Sequence, residues 1–451
     1  MYAARPQLTF RTHLIAIIAA GIAFLLSAQE WRPRGYGNLS AELTTDWYLG
    51  LAANLLAGRG YQDCEPAAEP PFCDEEQLRG PTAYRLPGYP IFLAGNLALF
   101  GQHDNAAVSV RLFQLVLTML LVYLTAIYAA RFAGDIAGAS AGLLMATNPF
   151  LHIFSGHILT ELFFTLLLLI FVIWLSRARR ATHYLAAGVI LAAVLLTRGN
   201  IVAAVPLLIF VIPRRYYAVF GLGAALLLIP WAARNYAVFQ AFVPFSTGSG
   251  AVLLGASNPV TFGLEDAPDD LFYPFEGAMS WWLPPHRIPS HAHIYASITD
   301  PGDEVEVDRA EQRAALSFLG SVPRDLLLRM VSLRVATLFW DYGLSGAALV
   351  VAIPMYAWGL ILVAGMWLSN ALRLTIFSLL RERGVRVMLI LILATILNAV
   401  LFYGTGRFRF PVDPLFAVLG GIGIASIVRA TLRGRLRSRE SAAHRLLTPS
   451  A

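Results

Sequence analysis

DWYLGLAANLLAGRGY, Asp46 to Tyr61, is the stretch on which the reading of this chain turns. An aspartate opens a short amphipathic helix just beyond the first of many apolar runs. Tyr48, Leu51, Ala52 and Leu55 fall at helical spacing on one face, Asn54 lies off it, and Gly58 and Gly60 end the helix. That pattern suits a helix lying on a membrane surface, which puts the Asp46 carboxylate at the water-lipid boundary.

The rest of the chain supplies the membrane. Its 451 residues are 57% hydrophobic and only 14% charged, with a mean hydropathy of +0.62, too apolar for a soluble protein. Runs long enough to cross about 30 Å of hydrocarbon begin near Leu14, Ser109, Ile136, Leu162, Leu185, Val202, Ala218, Ala347, Val387 and Leu415. The expected fold is all-α and polytopic, a bundle of about ten transmembrane helices. The residues ahead of Gln29 offer no small-x-small cleavage site, so the first run reads as a retained helix.

Arginine sets the expected orientation, because basic loops stay on the cytoplasmic side. Arg5 and Arg11, Arg131, Arg177 to Arg180, Arg214 and Arg215, Arg373 to Arg386 and the tail from Arg429 to Arg439 all fall on one side of the alternating runs. Anchoring to anionic headgroups of the bilayer accounts for the net charge of +6, so no nucleic-acid partner is called for. The opposite, external side receives two long loops, 30–105 and about 234–345. The organisation expected is an N-terminal transmembrane module over 1–233 that includes the 30–105 loop, an external insertion over 234–345, C-terminal transmembrane helices over 346–430 and a basic cytoplasmic tail over 431–451.

Both cysteines, Cys64 and Cys73, lie in the first external loop. In an oxidising compartment such as a bacterial periplasm they are expected to form a disulfide, and neither has the close thiol or histidine partner of a zinc site. AYRLPGYPIFLAGNLALFG, from Ala83, is too short and too rich in Pro and Gly for a span and reads as interfacial or re-entrant. The insertion is acidic in EDAPDD (265–270) and DPGDEVEVDRAE (300–311). From Arg309 to Leu338 its pattern suits amphipathic helices.

Ionisable groups at the external ends of spans are costly to bury, and eight map to that one side: Asp46, Arg85, His157, Glu161, Arg198, Arg234, Arg407 and Arg409. Asp46 suits a general base or, after Thr44 and Thr45, a helix N-cap. Glu161, with His157 four residues earlier on one helical face, could hold a divalent metal or shape the local field. A favourable N-terminal dipole position for Glu161 and solvation for His157 are the structural alternatives. The guanidiniums match phosphate oxygens and sit where topology anchoring does not call for them. No P-loop, GxGxxG after a strand or GxSxG elbow is present.

ANLLAGRGY, RLPGYPIFLA, ILTELFF, PWAARNYAVFQAFVPFSTGSGAVLLGASNP and GRFRFPVDPLFAVL, in this order, resemble the GT-C membrane glycosyltransferases: bacterial relatives of protein O-mannosyltransferases, the lipid A aminoarabinose transferase and rhizobial galacturonosyltransferases. The resemblance implies an enzyme of the bacterial inner membrane, its active site facing the periplasm. It would move a pentosyl or hexosyl unit from a polyprenyl-phosphate donor to a lipid, glycan or protein acceptor, as in cell-envelope glycan or lipopolysaccharide biosynthesis. It also implies Asp46 as catalytic base, Glu161 as its acidic support, Arg85 at the donor phosphate, and Arg407 and Arg409 near it. Many relatives carry a second acidic residue beside the aspartate, where this chain has Thr45 and Trp47. Two rival classes stand beside it: a flippase or transporter for a lipid-linked glycan, and a non-catalytic subunit of a polysaccharide assembly complex. A transporter would show midplane charges and an inverted repeat, and the sequence has neither.

Overall fold

The computed structural model describes residues 8–30, 48–64, 78–101, 106–258, 301–339 and 379–447. Asp46, Cys73, the run near Ala347 and the EDAPDD segment lie outside them. Among the described residues six helices are long and apolar enough to cross a membrane: Phe10–Gln29, Ala106–Ala146, Thr160–Arg177, Arg214–Phe239, Arg383–Leu401 and Gly406–Leu432, with Gly88–Phe100 and Ala181–Thr197 shorter. The expected ten are not reproduced one for one. The runs beginning near Ser109 and Ile136 are two helices, as expected, joined at Ala133 and Gly134, whose backbone is not helical; the φ of 68° at Gly134 suits a residue without Cβ, and Gly138 and Gly142 pack back against Ala126. The run near Val202 is no continuous helix but three short pieces, Gly199–Ile201, Ala204–Leu207 and Leu208–Phe210. Pro206 lacks an amide donor, and Pro213 closes the run before it is long enough to span.

We number the helices α1 (Phe10–Glu30), α2 (Tyr48–Leu56), α3 (Gly88–Phe100), α4 (Ala106–Ala146), α5 (Pro149–Gly156), α6 (Thr160–Arg177), α7 (Ala181–Thr197), α8 (Tyr217–Phe239), α9 (Ser249–Ala256), α10 (Pro301–Ser321), α11 (Arg324–Phe339), α12 (Arg383–Leu401), α13 (Gly406–Arg409) and α14 (Asp413–Leu447). A two-stranded antiparallel hairpin, β1 (Gln62–Cys64) with β2 (Leu78–Pro81), follows α2 and pairs Asp63 with Gly80.

The main core lies among α4, α6, α7, α12 and α14, where Leu121, Tyr128, Phe164, Phe171, Leu391 and Val418 are buried. Phe92 of α3 stacks on Phe163 of α6 at 4.3 Å between centroids and meets Phe113 of α4 at 5.7 Å, so aromatic packing fixes the element expected as re-entrant. Helix α8 joins through a glycine seam. A Cβ on Gly188 would strike the Phe220 carbonyl, and one on Gly223 the Leu185 carbonyl. Such close approach is how helices associate where lipid removes the hydrophobic drive. Its other faces expose Leu222, Leu226 and Ile229, as a lipid-facing helix does.

The basic segments gather at one end. Beside the kink after Arg131, the Thr12 hydroxyl donates to Asp135 at 2.6 Å, Arg11 stands 3.9 Å from the same carboxylate, and Arg429 donates to the Ala133 carbonyl. Nearby, Arg383 donates to the Ala178 carbonyl and Tyr216 to that of Arg179.

At the other end a buried polar knot ties three elements. Arg409, 1% exposed, donates through Nε to Asp413 at 3.0 Å and through Nη1 to the Leu338 carbonyl at 2.8 Å. Asp413 also accepts from Asn148 at 2.8 Å, and Asn148 caps α5 by accepting from the Phe150 amide. Arg409 is thereby part of the frame. Replacing Asp413 by Asn is expected to cost about 3–5 kcal/mol by stranding a buried guanidinium, read as a lowered unfolding temperature in detergent.

The acidic segment of α10 is not a solvated face. Glu304, Asp308 and Glu311 recur at helical spacing and are all buried. Asp308 accepts from the Gly250 amide at 2.6 Å and from Ser249 at 3.2 Å, which locks α10 to α9. Burial raises the carboxyl pKa of both Glu304 and Asp308 above the ordinary range, with Arg234 opposing it at Glu304. The folded state therefore favours their protonated forms. The stability this gives is complete below their unfolded pKa values, near 4, and is lost as pH rises through the raised folded values. The unfolding temperature should fall as pH rises above about 4, and the double variant Glu304→Gln with Asp308→Asn should flatten that fall.

Candidate active site

Glu161 occupies the first turn of α6, where the helix dipole favours a carboxylate. It is wholly buried and shared by two arginines: Arg198, the residue that caps the C-terminus of α7, reaches it at 2.5 Å, and Arg407 of α13 bonds the same oxygen. Arg198 also donates to the Thr160 hydroxyl at 3.0 Å and lies 5.6 Å from the Phe408 ring. The two guanidiniums, 14% and 23% exposed, sit outside the buried carboxylate, and the trio carries a net positive charge. In a water-poor setting such a cluster attracts an anion.

His157 is placed differently from the sequence expectation. It is the C-cap of α5, not part of α6, so it does not share a helical face with Glu161. The backbone is extended at His157 and Leu159, and the carbonyls this break opens are taken up from α4: Arg111 donates to Gly156 at 3.0 Å and Gln114 to His157 at 2.8 Å. The His157 ring bonds the Ile153 carbonyl at 2.8 Å. Among the described residues no three of His, Cys, Asp and Glu gather as a metal would need.

Arg85 lies 5.3 Å from the Tyr48 ring and 4.9 Å from that of Tyr84. Tyr48 is two residues along the chain from Asp46. Gly88, just after Arg85, packs on the end of α7: a Cβ there would meet the Thr197 hydroxyl and the Leu196 carbonyl. That contact brings the YRLPG loop beside Arg198. Continuity runs on through aromatics. Tyr403 stacks on Phe408 at 6.0 Å with planes 13° apart, and burial raises its phenol pKa, with Arg334 opposing and Tyr84 adding to the rise. Two groups of neighbours thus lie here: Tyr48, Arg85 and Tyr84 in one, and Tyr403, Phe408, Arg198, Glu161 and Arg407 in the other, brought side by side where Gly88 packs on the end of α7.

Arg234 stands apart from both groups. Its guanidinium donates to the Thr82 carbonyl at 2.7 Å and the Tyr61 carbonyl at 2.8 Å, under the rings of Tyr61, Trp231 and Phe239. Sequence reasoning did not single out Tyr48, Tyr84, Tyr403 or Phe408, nor Glu304 and Thr247. The last two were legible only as members of the acidic run and of the STGSG motif.

No family model matches the chain, and no curated protein does. Solved structures do. The oligosaccharyltransferase of Archaeoglobus fulgidus, tethered to an acceptor peptide containing the NVT sequon, superposes with a TM-score of 0.50 at 12% identity over 92% of this chain and 49% of that one. The same archaeal enzyme, AglB, in complex with an inhibitory peptide and a dolichol-phosphate gives 0.47 at 11% identity, over 96% and 52%. ArnT from Cupriavidus metallidurans bound to undecaprenyl phosphate gives 0.37 at 13% identity, over 92% and 77%. The chain spans about half the length of the archaeal enzyme. The chain therefore shares its fold with the archaeal oligosaccharyltransferase, and among its described residues six helices are long and apolar enough to cross a membrane.

Proposed function

We propose that the protein is a glycosyltransferase that takes a sugar from a polyprenyl-phosphate carrier at the periplasmic face of a bacterial inner membrane and transfers it to a lipid, glycan or protein acceptor. The observation that carries this reading is the Glu161, Arg198 and Arg407 cluster, at the end of the bundle away from the basic segments, with the loop that carries Arg85 packed through Gly88 on the end of α7 just before Arg198. A carrier phosphate leaves with growing negative charge, and preorganised guanidiniums in a dry site stabilise such charge most effectively. Arg85, Arg198 and Arg407 are assigned to that phosphate. Glu161 holds the last two side by side and lowers their mutual repulsion. Arg409 and Arg234, engaged with the backbone and with Asp413, are assigned to the frame.

Asp46 is assigned as the base. Its carboxylate takes the proton of an acceptor hydroxyl as that oxygen bonds the anomeric carbon. The bond from that carbon to the phosphate oxygen breaks, and its electron pair leaves with the phosphate. A single displacement needs no covalent intermediate and inverts the anomeric centre.

Cells lacking the protein should lose one sugar increment from a lipid or glycan, as read by mass spectrometry, and the native gene should restore it. Asp46→Asn should reach the membrane at normal levels yet support transfer reduced by about 100-fold or more. Full restoration by that variant would remove the enzyme reading. Arg407→Ala should cut transfer by a similar factor, and the isolated product should carry the anomeric configuration opposite to that of the donor.

A further inference from the structure

The segment from Thr82 to Arg85 is nearly devoid of regular structure, and Thr82 and Ala83 are buried, so each of its backbone groups needs a partner from elsewhere. The Thr82 amide donates to the Tyr61 carbonyl at 3.3 Å, and the Thr82 carbonyl accepts from Arg234. The Ala83 carbonyl accepts from the Thr247 amide at 3.1 Å, the Tyr84 amide donates to the Thr82 hydroxyl at 3.0 Å, and the Arg85 carbonyl accepts from the Tyr61 phenol at 2.9 Å. The Ala83 amide finds its partner furthest along the chain. It donates to Glu304 Oε1 at 2.9 Å, a carboxylate 221 positions away on α10. The same oxygen takes the Thr247 hydroxyl, and Gly248 lies so close to Tyr84 that a Cβ there would meet its ring.

The geometry points to Glu304 as a positioning residue. From the first turns of the external helix α10, it fixes the Ala83 peptide and the STGSG loop against one another and so sets where Arg85 stands beside Tyr48. The inference rests on the assignment of Arg85 to the donor phosphate. It adds a role for the external insertion: α10 is part of the device that prepares the donor site. Both contacts require only an acceptor oxygen. A glutamine should keep them and an apolar residue of similar size should not, since a buried amide left without an acceptor is costly.

The test uses the full-length protein purified in detergent, with undecaprenyl phosphate as the probe and its dissociation constant as the readout, so that neither sugar nor acceptor need be known. Glu304→Leu is expected to weaken binding about 10-fold, Glu304→Gln to stay within about twofold of native, and Thr247→Val to weaken binding about threefold. Gly421→Ala, whose Cβ would strike the Ala137 carbonyl between α14 and α4, should lower the unfolding temperature and leave the affinity unchanged. Native affinity in Glu304→Leu, alongside weakened binding in Arg85→Ala, would overturn the positioning role while leaving the site reading intact. Equal loss in Gly421→Ala and Glu304→Leu would also overturn it, because the effect would then be one of general stability. Native affinity in Arg85→Ala would instead refute the site reading, and the positioning role with it.

Discussion

One buried carboxylate holds the functional end of the bundle together. Glu161 stands in the first turn of α6 and binds guanidiniums from the end of α7, the next helix, and from α13, 246 positions further along the chain. Taking that charge out of water is affordable only because two cations meet it, and a lone carboxylate at such depth would be neutral or displaced. The tie also has a direction. With the carboxylate wholly buried and both arginines partly exposed, positive charge is pressed outward toward whatever occupies the site.

The arginines at this end divide by what they bond. Arg198 and Arg407 meet the Glu161 carboxylate and Arg85 meets aromatic rings, whereas Arg111, Arg234 and Arg334 donate to main-chain carbonyls and Arg409 to both a carbonyl and the Asp413 carboxylate. The carbonyls belong to helix ends and irregular turns, which cannot be left unsatisfied in or near hydrocarbon. Arg334 illustrates the economy of the arrangement: one side chain reaches the Val400 and Ala256 carbonyls and joins α11, α12 and α9. A guanidinium with five donors in a rigid fork suits such work where a lysine would not.

This division explains how far the sequence could be read. Apolar length and arginine placement identify a polytopic bundle, because both follow from the bilayer alone. They also select Glu161, Arg198 and Arg407 together, since charge at the end of a span is rare enough to carry meaning. They do not separate Arg407 from Arg409, two positions apart in GRFRF. That distinction depends on Asp413, one turn further on, facing Asn148 across the fold. His157 misled because SGHILTELFF reads as one helix, and the break is made by α4 supplying donors to the opened carbonyls. Glu304 was legible only as a member of an acidic run; its repeat with Asp308 and Glu311 describes a single helical stripe, and what that stripe meets depends on α9 and the Ala83 peptide.

Helix α14 runs for 35 residues, and its apolar portion ends at Leu432. At about 1.5 Å per residue the remainder continues for roughly 22 Å past the hydrocarbon. The Debye length at physiological ionic strength is about 8 Å. The helical backbone thus outruns the apolar stretch by more than two such lengths, and its unbroken run keeps the last turns from folding back onto the apolar portion.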